Sequence, residues 1–297
     1  MKKRSSFVGP ALIILAAVFW GSMGIFVRRL TSFGFTSIQI TSGRLTLGSL
    51  IFCAVLLLRD PKGFRIQKQD IPLFLGLGLA SVLFFTVCYF TAITMMPLST
   101  AAILLYTSPI WIMLMSVLFF REKLSARKLL ALALAFGGCV LVSGFSGGGL
   151  TAAGLLCGLG AGFGYGLYSI FGTVALRRYS PLTVTAWAFI ISAVGSWFIS
   201  RPADMLAKFA AAPSPVGLLF FFLLTALVTA VIPYLSYTQG LQTVEASRAG
   251  IIATIEPLVA TLVGVLVFSE TLTLMNCLGI ALILSAVVIL NRKTAAS

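Results

Sequence analysis

The sequence predicts an all-α membrane protein with ten transmembrane helices, arranged as two inverted five-helix repeats. Three observations support this fold class. The 297 residues are 59% hydrophobic and only 9% charged, whereas a soluble domain carries about 25% charged residues. Apolar runs of about 20 residues, each long enough to cross a ~30 Å hydrocarbon core as a helix, recur along the chain. The second half of the chain also repeats the pattern of the first.

Charges, prolines and glycine clusters separate the apolar runs into ten predicted helices. These helices span residues 9–30, 36–58, 71–95, 98–120, 127–145, 152–176, 181–200, 216–240, 246–268 and 273–290. The first run follows Lys2-Lys3-Arg4 and so imitates a signal peptide. It is too long for the apolar region of a signal peptide and no small-residue cleavage site follows, so it is interpreted as the first span.

The distribution of basic residues predicts the orientation of the helices. An even number of spans puts both termini on one side, where sixteen Lys and Arg residues collect, against four on the other side. The chain is expected in the plasma (inner) membrane. Cytoplasmic loops are enriched in Lys and Arg, so both termini are expected in the cytoplasm. The same rule explains the net charge of +14 without a nucleic-acid partner.

Few residues are suited to catalysis or metal binding. The chain has no His, and its five Cys lie inside apolar runs without the spacing of a disulfide framework or a zinc site. A glycine-rich run in the sixth helix contains no complete dinucleotide fingerprint, and no P-loop is present. We therefore expect no enzyme activity, no metal and no cofactor.

The internal repeat appears when the sequence is shifted by 148 positions. YFTAITMMPLSTAAILLYTSPIWIMLMSVLFFREKLS, from Tyr89, then lies over YTQGLQTVEASRAGIIATIEPLVATLVGVLVFSETLT, from Tyr237. Pro109 pairs with Pro257 and Glu122 with Glu270. The repeat predicts two domains, residues 9–145 and 152–290, joined by a flexible outside linker near 146–150. Because each half has an odd number of spans, the halves are inverted, which is typical of transporters.

These residues resemble a known family. The chain is similar to the drug/metabolite transporter superfamily, and in particular to EamA-type proteins. The resemblance lies in VFWGSMGIF of the first helix, Arg44 of the second, and the segments LLYTSPIWIMLMSVLFFREKLS and IATIEPLVATLVGVLVFSETLT that end each half. It implies export of small metabolites, often driven by the proton gradient, through a pseudo-symmetric basket of helices. It implies no particular substrate.

Glu256 is the principal candidate for proton coupling or substrate binding. It lies nine residues, or ~13 Å, into the ninth helix and therefore near the bilayer midplane. A charge there costs at least ~2.5 kcal/mol, so the carboxyl is expected to be protonated, paired or in contact with water. Ala253, Ala260 and Gly264 share its helix face, which favours a neighbouring helix or cavity over lipid. The alternative is a structural carboxyl that is hydrogen-bonded within the bundle.

Arg44 and two prolines are further candidates within the spans. Arg44 needs an anionic partner, either a substrate carboxylate or Glu256 in one state, although it could equally snorkel to the outer headgroups. Pro109 and Pro257 remove helix hydrogen bonds in mid-span, so they predict either hinges or fixed kinks.

The remaining candidates are acidic, basic and aromatic side chains. Glu245 and Arg248 are expected at a cytoplasmic interface or gate, while Glu122 and Glu270 are expected to cap or tie helices. Seven aromatic residues lie at span depth and their polar atoms need partners, which a central cavity can supply. Four of them are assigned to that cavity: Trp20, Tyr106, Tyr165 and Tyr234.

The sequence therefore predicts a secondary transporter that exports small metabolites, such as amino acids or aromatic and amphipathic compounds, by alternating access with proton exchange. A multidrug or cation exporter and an uncoupled facilitator of the same fold are the alternatives. A membrane enzyme would need an acid/base pair or clustered acids, which this sequence lacks within its spans. The inverted repeat argues against a channel or scaffold. A monomer could enclose the site, although the sequence does not specify the oligomeric state.

Overall fold

The computed structural model describes residues 7–144 and 151–291. Every regular element in these two ranges is a helix. The helices are α1 (Val8–Thr31), α2 (Ser37–Arg59), α3 (Lys68–Met95), α4 (Leu98–Phe120), α5 (Ala126–Ser143), α6 (Ala152–Ala175), α7 (Pro181–Trp197), α8 (Pro202–Ala211), α9 (Pro215–Gly240), α10 (Ala246–Phe268) and α11 (Leu274–Asn291). The predicted linker near 146–150 and the basic residues at both termini lie outside the described residues.

The predicted all-α membrane class is confirmed, but the count of ten spans is not. Within the described ranges, eight helices are long and apolar enough to cross a membrane, and nine if α7 and α8 are taken as one bent span. Helix α11 is apolar over Leu274–Leu290, but this stretch is shorter than any of the eight spanning helices. Ten spans therefore stay a prediction.

Helix α8 is an element that hydropathy did not predict. The predicted seventh helix ran to residue 200, whereas α7 ends at Trp197 and the chain then bends by 89° into α8. Arg201 adopts a left-handed conformation (φ 53°) and Pro202 begins the new helix, which proline favours because its φ is preset. Phe209 of α8 packs against Phe35, with ring centroids 5.3 Å apart.

The helices begin where hydroxyl side chains cap them. Thr36 accepts a hydrogen bond from the backbone N–H of Gln39, whose side chain accepts one in return from the N–H of Thr36. Ser125, Thr151 and Ser180 cap α5, α6 and α7, each by accepting a hydrogen bond from the backbone N–H three residues later, without the return bond. A cap satisfies a backbone donor that the first helical turn leaves free.

The two halves of the chain are interlocked rather than side by side. Helix α1 packs against α9 and α10 of the second half, and α6 packs against α3 and α4 of the first. Helices α2 and α7 contact each other, as do α5 and α11. The first helix of each half therefore packs against two helices of the other half.

A polar clasp joins the halves at each face of the bundle. At one face Asp70 lies in the first turn of α3. It accepts hydrogen bonds from Arg178 (2.9 Å) and Tyr179 (2.6 Å), which follow α6. Burial raises the pKa of the Tyr179 phenol, and its hydrogen bond to Asp70 adds to this effect. At the other face Gln39 of α2 bonds to Asp204 (2.6 Å) and Lys208 (3.0 Å) of α8.

In the described ranges five helices are irregular near their middle, and the first of them, α1, is interrupted at Ser22. Helix α4 is interrupted at Tyr106–Thr107 and α10 at Thr254. Helices α3 and α9 contain π-helical segments, Gly76–Leu83 and Leu227–Val231. When shifted by 148 positions, residues 227–231 overlie 79–83, so the irregularities recur in both halves. π-Helical turns concentrate at functional sites.

Candidate functional site

Two narrow cavities lie between the irregular helices, and Tyr165 of α6 lines both. The side chains around them leave only a small volume in each. One cavity is mainly aromatic and the other contains the carboxyl of Glu256.

The first cavity is lined by aromatic rings from four helices, α1, α3, α6 and α9. Trp20 of α1 lies 5.2 Å from the ring of Tyr234 and 6.0 Å from that of Tyr165. Tyr168 and Tyr237 complete this group, with ring centroids 5.2 Å from Tyr234 and 5.4 Å from Trp20, respectively. The rings meet mostly edge to face, an arrangement that the aromatic quadrupole favours.

Hydroxyl pairs fix the positions of two of these rings. The Tyr168 hydroxyl lies 2.8 Å from that of Thr238, and the Tyr237 hydroxyl lies 2.7 Å from that of Ser169. Both pairs join α6 to α9. They satisfy buried polar groups and hold the aromatic wall in one arrangement.

The second cavity is built at the interruptions of α4 and α10. Glu256 lines it together with Tyr106, Pro109, Thr254 and Tyr165. The Tyr165 hydroxyl lies 3.5 Å from Oε2 of Glu256. The geometry therefore brings the predicted carboxyl and two of the predicted cavity tyrosines together.

The small-residue face predicted around Glu256 is only partly buried. Ala253 and Gly264 are buried, as expected of a helix contact, but Ala260 is exposed on the surface of the bundle. Gly264 is covered by the side chain of Glu270, which follows the same helix. The prediction of a helix contact or cavity is therefore wrong for Ala260.

Arg44 is enclosed by protein, because only 7% of the residue is accessible. Its Nη1 contacts the sulfur of Met23 (2.6 Å) and lies 3.4 Å from the hydroxyl of Thr229. Its Nε has no hydrogen-bond partner. Neither Tyr234 nor Glu256 forms an ion pair or hydrogen bond with Arg44 among the described residues.

The prolines lie at the interruptions. Pro109 is the second residue of the helical segment after Thr107, and Pro257 is the third after Thr254. Thr107 and Thr254 turn their hydroxyls back to the carbonyls of Leu104 and Ile251, each at 2.6 Å. Such hydroxyls satisfy backbone groups that an interrupted helix leaves free in a membrane.

The charged residues predicted at helix ends lie away from the cavities. Glu122 accepts hydrogen bonds from Lys128 (3.1 Å) and from Ser247 at the start of α10. Glu245 pairs with the same lysine at 2.7 Å.

Glu270 pairs with Arg28 at the opposite face, and Arg248 donates to the carbonyl of Leu290 (3.2 Å). Glu122 and Glu270 thus tie helices together, while Ser125 and Thr273 form the caps.

Sequence reasoning missed several residues of the cavities. Phe85 and Ser81 of α3 line the first cavity, and their spacing of four residues on one helix face was the available signal. Tyr168 and Tyr237 belong to the seven aromatic residues at span depth but not to the four that were assigned to the cavity. Among the described residues, no three Cys, Asp or Glu side chains are grouped so that they could hold a metal ion.

A bundle of long, apolar, interlocked helices with an ionisable residue in an internal cavity defines an integral membrane protein. The model of the EamA-like transporter family matches residues 7–144 and again residues 152–292. The chain belongs to the EamA-like transporter family, and it is therefore a transporter and not an enzyme.

Individual relatives agree with this assignment. An uncharacterized transporter of Archaeoglobus fulgidus is 33% identical over 289 residues, which are 96% of this chain and 97% of the relative. The pseudopaline exporter CntI of Pseudomonas aeruginosa is 30% identical over 173 residues, 58% of this chain and 57% of that protein. A solved crystal structure with 20% identity has a TM-score of 0.78 over 97% of each chain, which shows a shared fold.

Proposed function

We propose that this transporter exports small metabolites by proton-coupled secondary transport, with Glu256 as the group that exchanges protons for substrate. The observation that carries the proposal is the position of this carboxyl, in a cavity at the interruption of α10, beside the Tyr165 hydroxyl. An ionisable group within a membrane is costly and marks a substrate or ion pathway. The name of one relative, an exporter, supports the direction of transport.

Alternating access would come from bending at Pro109 and Pro257. Both prolines follow an interruption in a membrane helix, and the interrupted helices belong to opposite halves of the chain. The division into halves at residues 9–145 and 152–290 is part of this proposal. Two equivalent packings of inverted halves open one site to opposite sides of the membrane.

The aromatic lining supports amino acids and aromatic or amphipathic compounds as substrates. Trp20, Tyr106, Tyr165 and Tyr234 supply ring faces and polar atoms around the cavities. The same rings would also suit organic cations through cation–π attraction, so a multidrug or cation exporter is the second candidate.

The charge distribution supports a place in the plasma (inner) membrane with both termini in the cytoplasm. In that orientation Glu122, Lys128 and Glu245 lie at the cytoplasmic face, and Arg28 and Glu270 lie at the outer face. Both cavities are lined by residues of one chain, which supports a monomer as the transporting unit.

Proteoliposomes test the proposal directly. An internal pH dye is followed while amino acids, bases and cationic drugs are added, for wild type and for Glu256→Gln. We expect at least one compound to drive a proton signal in the wild type, and we expect the Gln variant to lose it while keeping its fold. Substrate movement with an unchanged proton signal in Glu256→Gln would overturn the role of Glu256.

A further inference from the structure

A further cavity lies beside α8, at the bend between α7 and α8, and it shares no lining residue with the two central cavities. Helix α8 forms one wall, and α2, α9 and the end of α7 form the others. This α8 cavity has a volume of about 160 Å³. Most of its lining is apolar, including Leu47, Trp197, Met205, Phe209, Leu219 and Phe222.

The hydroxyl groups at the α8 cavity already have partners. Oγ of Ser42 lies 2.9 Å from Oγ of Ser196. Thr46 donates to the carbonyl of Ser42 (2.8 Å) and accepts a hydrogen bond from Nε1 of Trp197 (2.8 Å). A polar molecule would lose its hydrogen bonds to water here without gaining an unpaired partner, which is unfavourable. Apolar cavities of ~150 Å³ stay dry and bind apolar molecules, so this lining selects an apolar occupant.

The α8 cavity lies at an exposed apolar surface. Leu206 and Leu219, which line the cavity, are 64% and 51% accessible. Trp197 is 43% accessible, and the residues next to the lining in the chain, Phe198 and Phe220, are 86% and 66% accessible. Exposed apolar surface of this extent marks a contact with the membrane. An acyl chain of the bilayer can therefore reach the cavity without passing through the protein interior.

Helix α8 also brings a cation next to the cavity. It turns by 89° from α7, so it runs along the membrane surface when α7 crosses the membrane, as interfacial amphipathic helices do. Arg201 precedes the lining residue Pro202, is exposed, and forms no ion pair in the part of the chain that the structure describes. The carboxylate of Asp204, on the same helix, pairs with Lys208 (2.7 Å). Arg201 is therefore available to an anion.

We propose that the α8 cavity binds one phospholipid of the bilayer, with an acyl chain in the cavity and the phosphate on Arg201. A guanidinium binds phosphate oxygens through paired, charge-assisted hydrogen bonds. A phospholipid presents an acyl chain in the hydrocarbon core and a phosphate in the adjoining headgroup region, which matches an apolar cavity next to an exposed cation. In the orientation proposed above, this lipid belongs to the outer leaflet. The site is independent of the transported compound.

Native mass spectrometry of the full chain, delipidated in detergent, measures this binding. The probes are dioleoyl phosphatidylglycerol and dioleoylglycerol, which has the same acyl chains but no phosphate. We expect the wild type to bind one phospholipid more tightly than any further lipid. Dioleoylglycerol is expected to bind about ten- to hundredfold more weakly, the value of hydrogen bonds to a charged group.

Two variants separate the contributions of the chain and the phosphate. Leu206→Trp places a larger side chain at the cavity and is expected to weaken the tight phospholipid binding at least about tenfold. Its control is Leu118→Trp, since Leu118 of α4 is 73% accessible and does not line the α8 cavity. Arg201→Gln is expected to remove the preference for phospholipid over dioleoylglycerol. Its control is Arg121→Gln, because Arg121, after α4, is also exposed and has the same left-handed φ of 53°.

Photolabelling of the wild-type protein in detergent gives a readout that does not depend on how a variant folds. The probe is a phosphatidylglycerol with a photoreactive diazirine in its acyl chain, and unlabelled phosphatidylglycerol competes with it. Competed labels are expected within residues 42–47, 197–209 and 219–222, which contain the cavity lining. Labels spread over all the exposed helices without competition, equal losses in a variant and its control, or an unchanged phospholipid preference in Arg201→Gln would overturn the proposal.

Discussion

Arg28 and Glu270 form an ion pair that joins the last turns of α1 to the segment after α10. The guanidinium also lies 3.9 Å from the centre of the Phe268 ring. Glu122, the repeat equivalent of Glu270, instead pairs with Lys128 and bonds to Ser247 at the opposite face. Equivalent carboxylates thus connect the halves of the chain at both faces, with different partners.

These two ion pairs are expected to differ in their effect on stability. Lys128 and Glu122 expose only 11% and 10% of their side chains, so Lys128→Met leaves an almost buried carboxylate unpaired and is expected to cost about 3 kcal/mol. The matched change Arg28→Met removes a pair that is exposed by 57% and 50%, and is expected to cost less than about 1 kcal/mol. Unfolding midpoints of the detergent-solubilised protein compare the two, and equal losses would contradict the prediction.

The contact between α5 and α11 depends on two facing glycines. A Cβ on Gly138 would lie 2.7 Å from the carbonyl oxygen of Gly279, whereas one on Gly137 would meet only a side-chain atom of Leu282 at 4.0 Å. Gly138→Ala is therefore expected to destabilise the protein by about 1–3 kcal/mol. Gly137→Ala is expected to be neutral or to stabilise by about 0.5–1 kcal/mol, since alanine favours helix. Thermal unfolding of both variants tests the difference, and a similar fall in both would argue against close backbone packing here.

The interruption of α4 is expected to be sensitive to the size of residue 162. A Cβ on Gly162 would lie 2.6 Å from the Thr107 hydroxyl and 2.8 Å from the carbonyl oxygen of Leu104. Gly162→Ala is expected to overpack the arrangement of α4 seen here and to disfavour it by about 1.4 kcal/mol. Transport is then expected to slow about tenfold.

The matched control for this change is Gly160→Ala, because its Cβ would meet only side-chain atoms, the sulfur of Cys88 at 3.2 Å and a ring carbon of Phe84 at 3.6 Å being the nearest from each residue. Both variants are assayed in proteoliposomes with the compound that gives the largest wild-type signal. Equal rates for the two variants would remove the link between this interruption and transport.

Helix α8 is expected to loosen in acid. Hydrogen bonds from Lys208 and then Gln39 hold the pKa of the Asp204 carboxyl below its usual range. A carboxyl with a lowered pKa in the folded state stabilises that state at pH values above about 3.9, the ordinary value for Asp. This stabilisation is lost as the pH falls through the lowered pKa.

Hydrogen exchange of the amides of residues 202–211 between pH 7 and pH 3, corrected for intrinsic rates, measures this effect. Wild type is expected to lose protection in the acid range, while Asp204→Asn is expected to have lower protection at neutral pH and no further acid step. An identical acid step in the variant would assign the titration to another group.

The helix boundaries could be predicted because hydrocarbon leaves the backbone no alternative. Each backbone donor and acceptor within a membrane must be satisfied inside its own segment, so a long apolar run is a helix whatever its neighbours are. The predicted segments 98–120 and 246–268 coincide with Leu98–Phe120 and Ala246–Phe268. Helix α8 was missed because it is short and amphipathic, and hydropathy alone does not distinguish such a segment from a loop.

The grouping of Tyr106, Tyr165 and Glu256 was predicted only as a set of candidates at similar depth. Their contact depends on how α4, α6 and α10 cross, and side-chain periodicity within one helix does not specify which face of another helix it meets. The pairing of Arg28 with Glu270 was missed for the same reason, since 242 positions separate them in the chain.

The sequence by itself determined the membrane class, the helix positions, the repeat and the rarity of interior charges, because these follow from the transfer of individual residues and segments between water and lipid. The tertiary structure decided which of those residues share a cavity, that Arg44 and Glu256 form no ion pair among the described residues, and that α8 folds back at one face. Those outcomes arise from packing between distant helices, whose energies depend on the relative placement of many side chains at once.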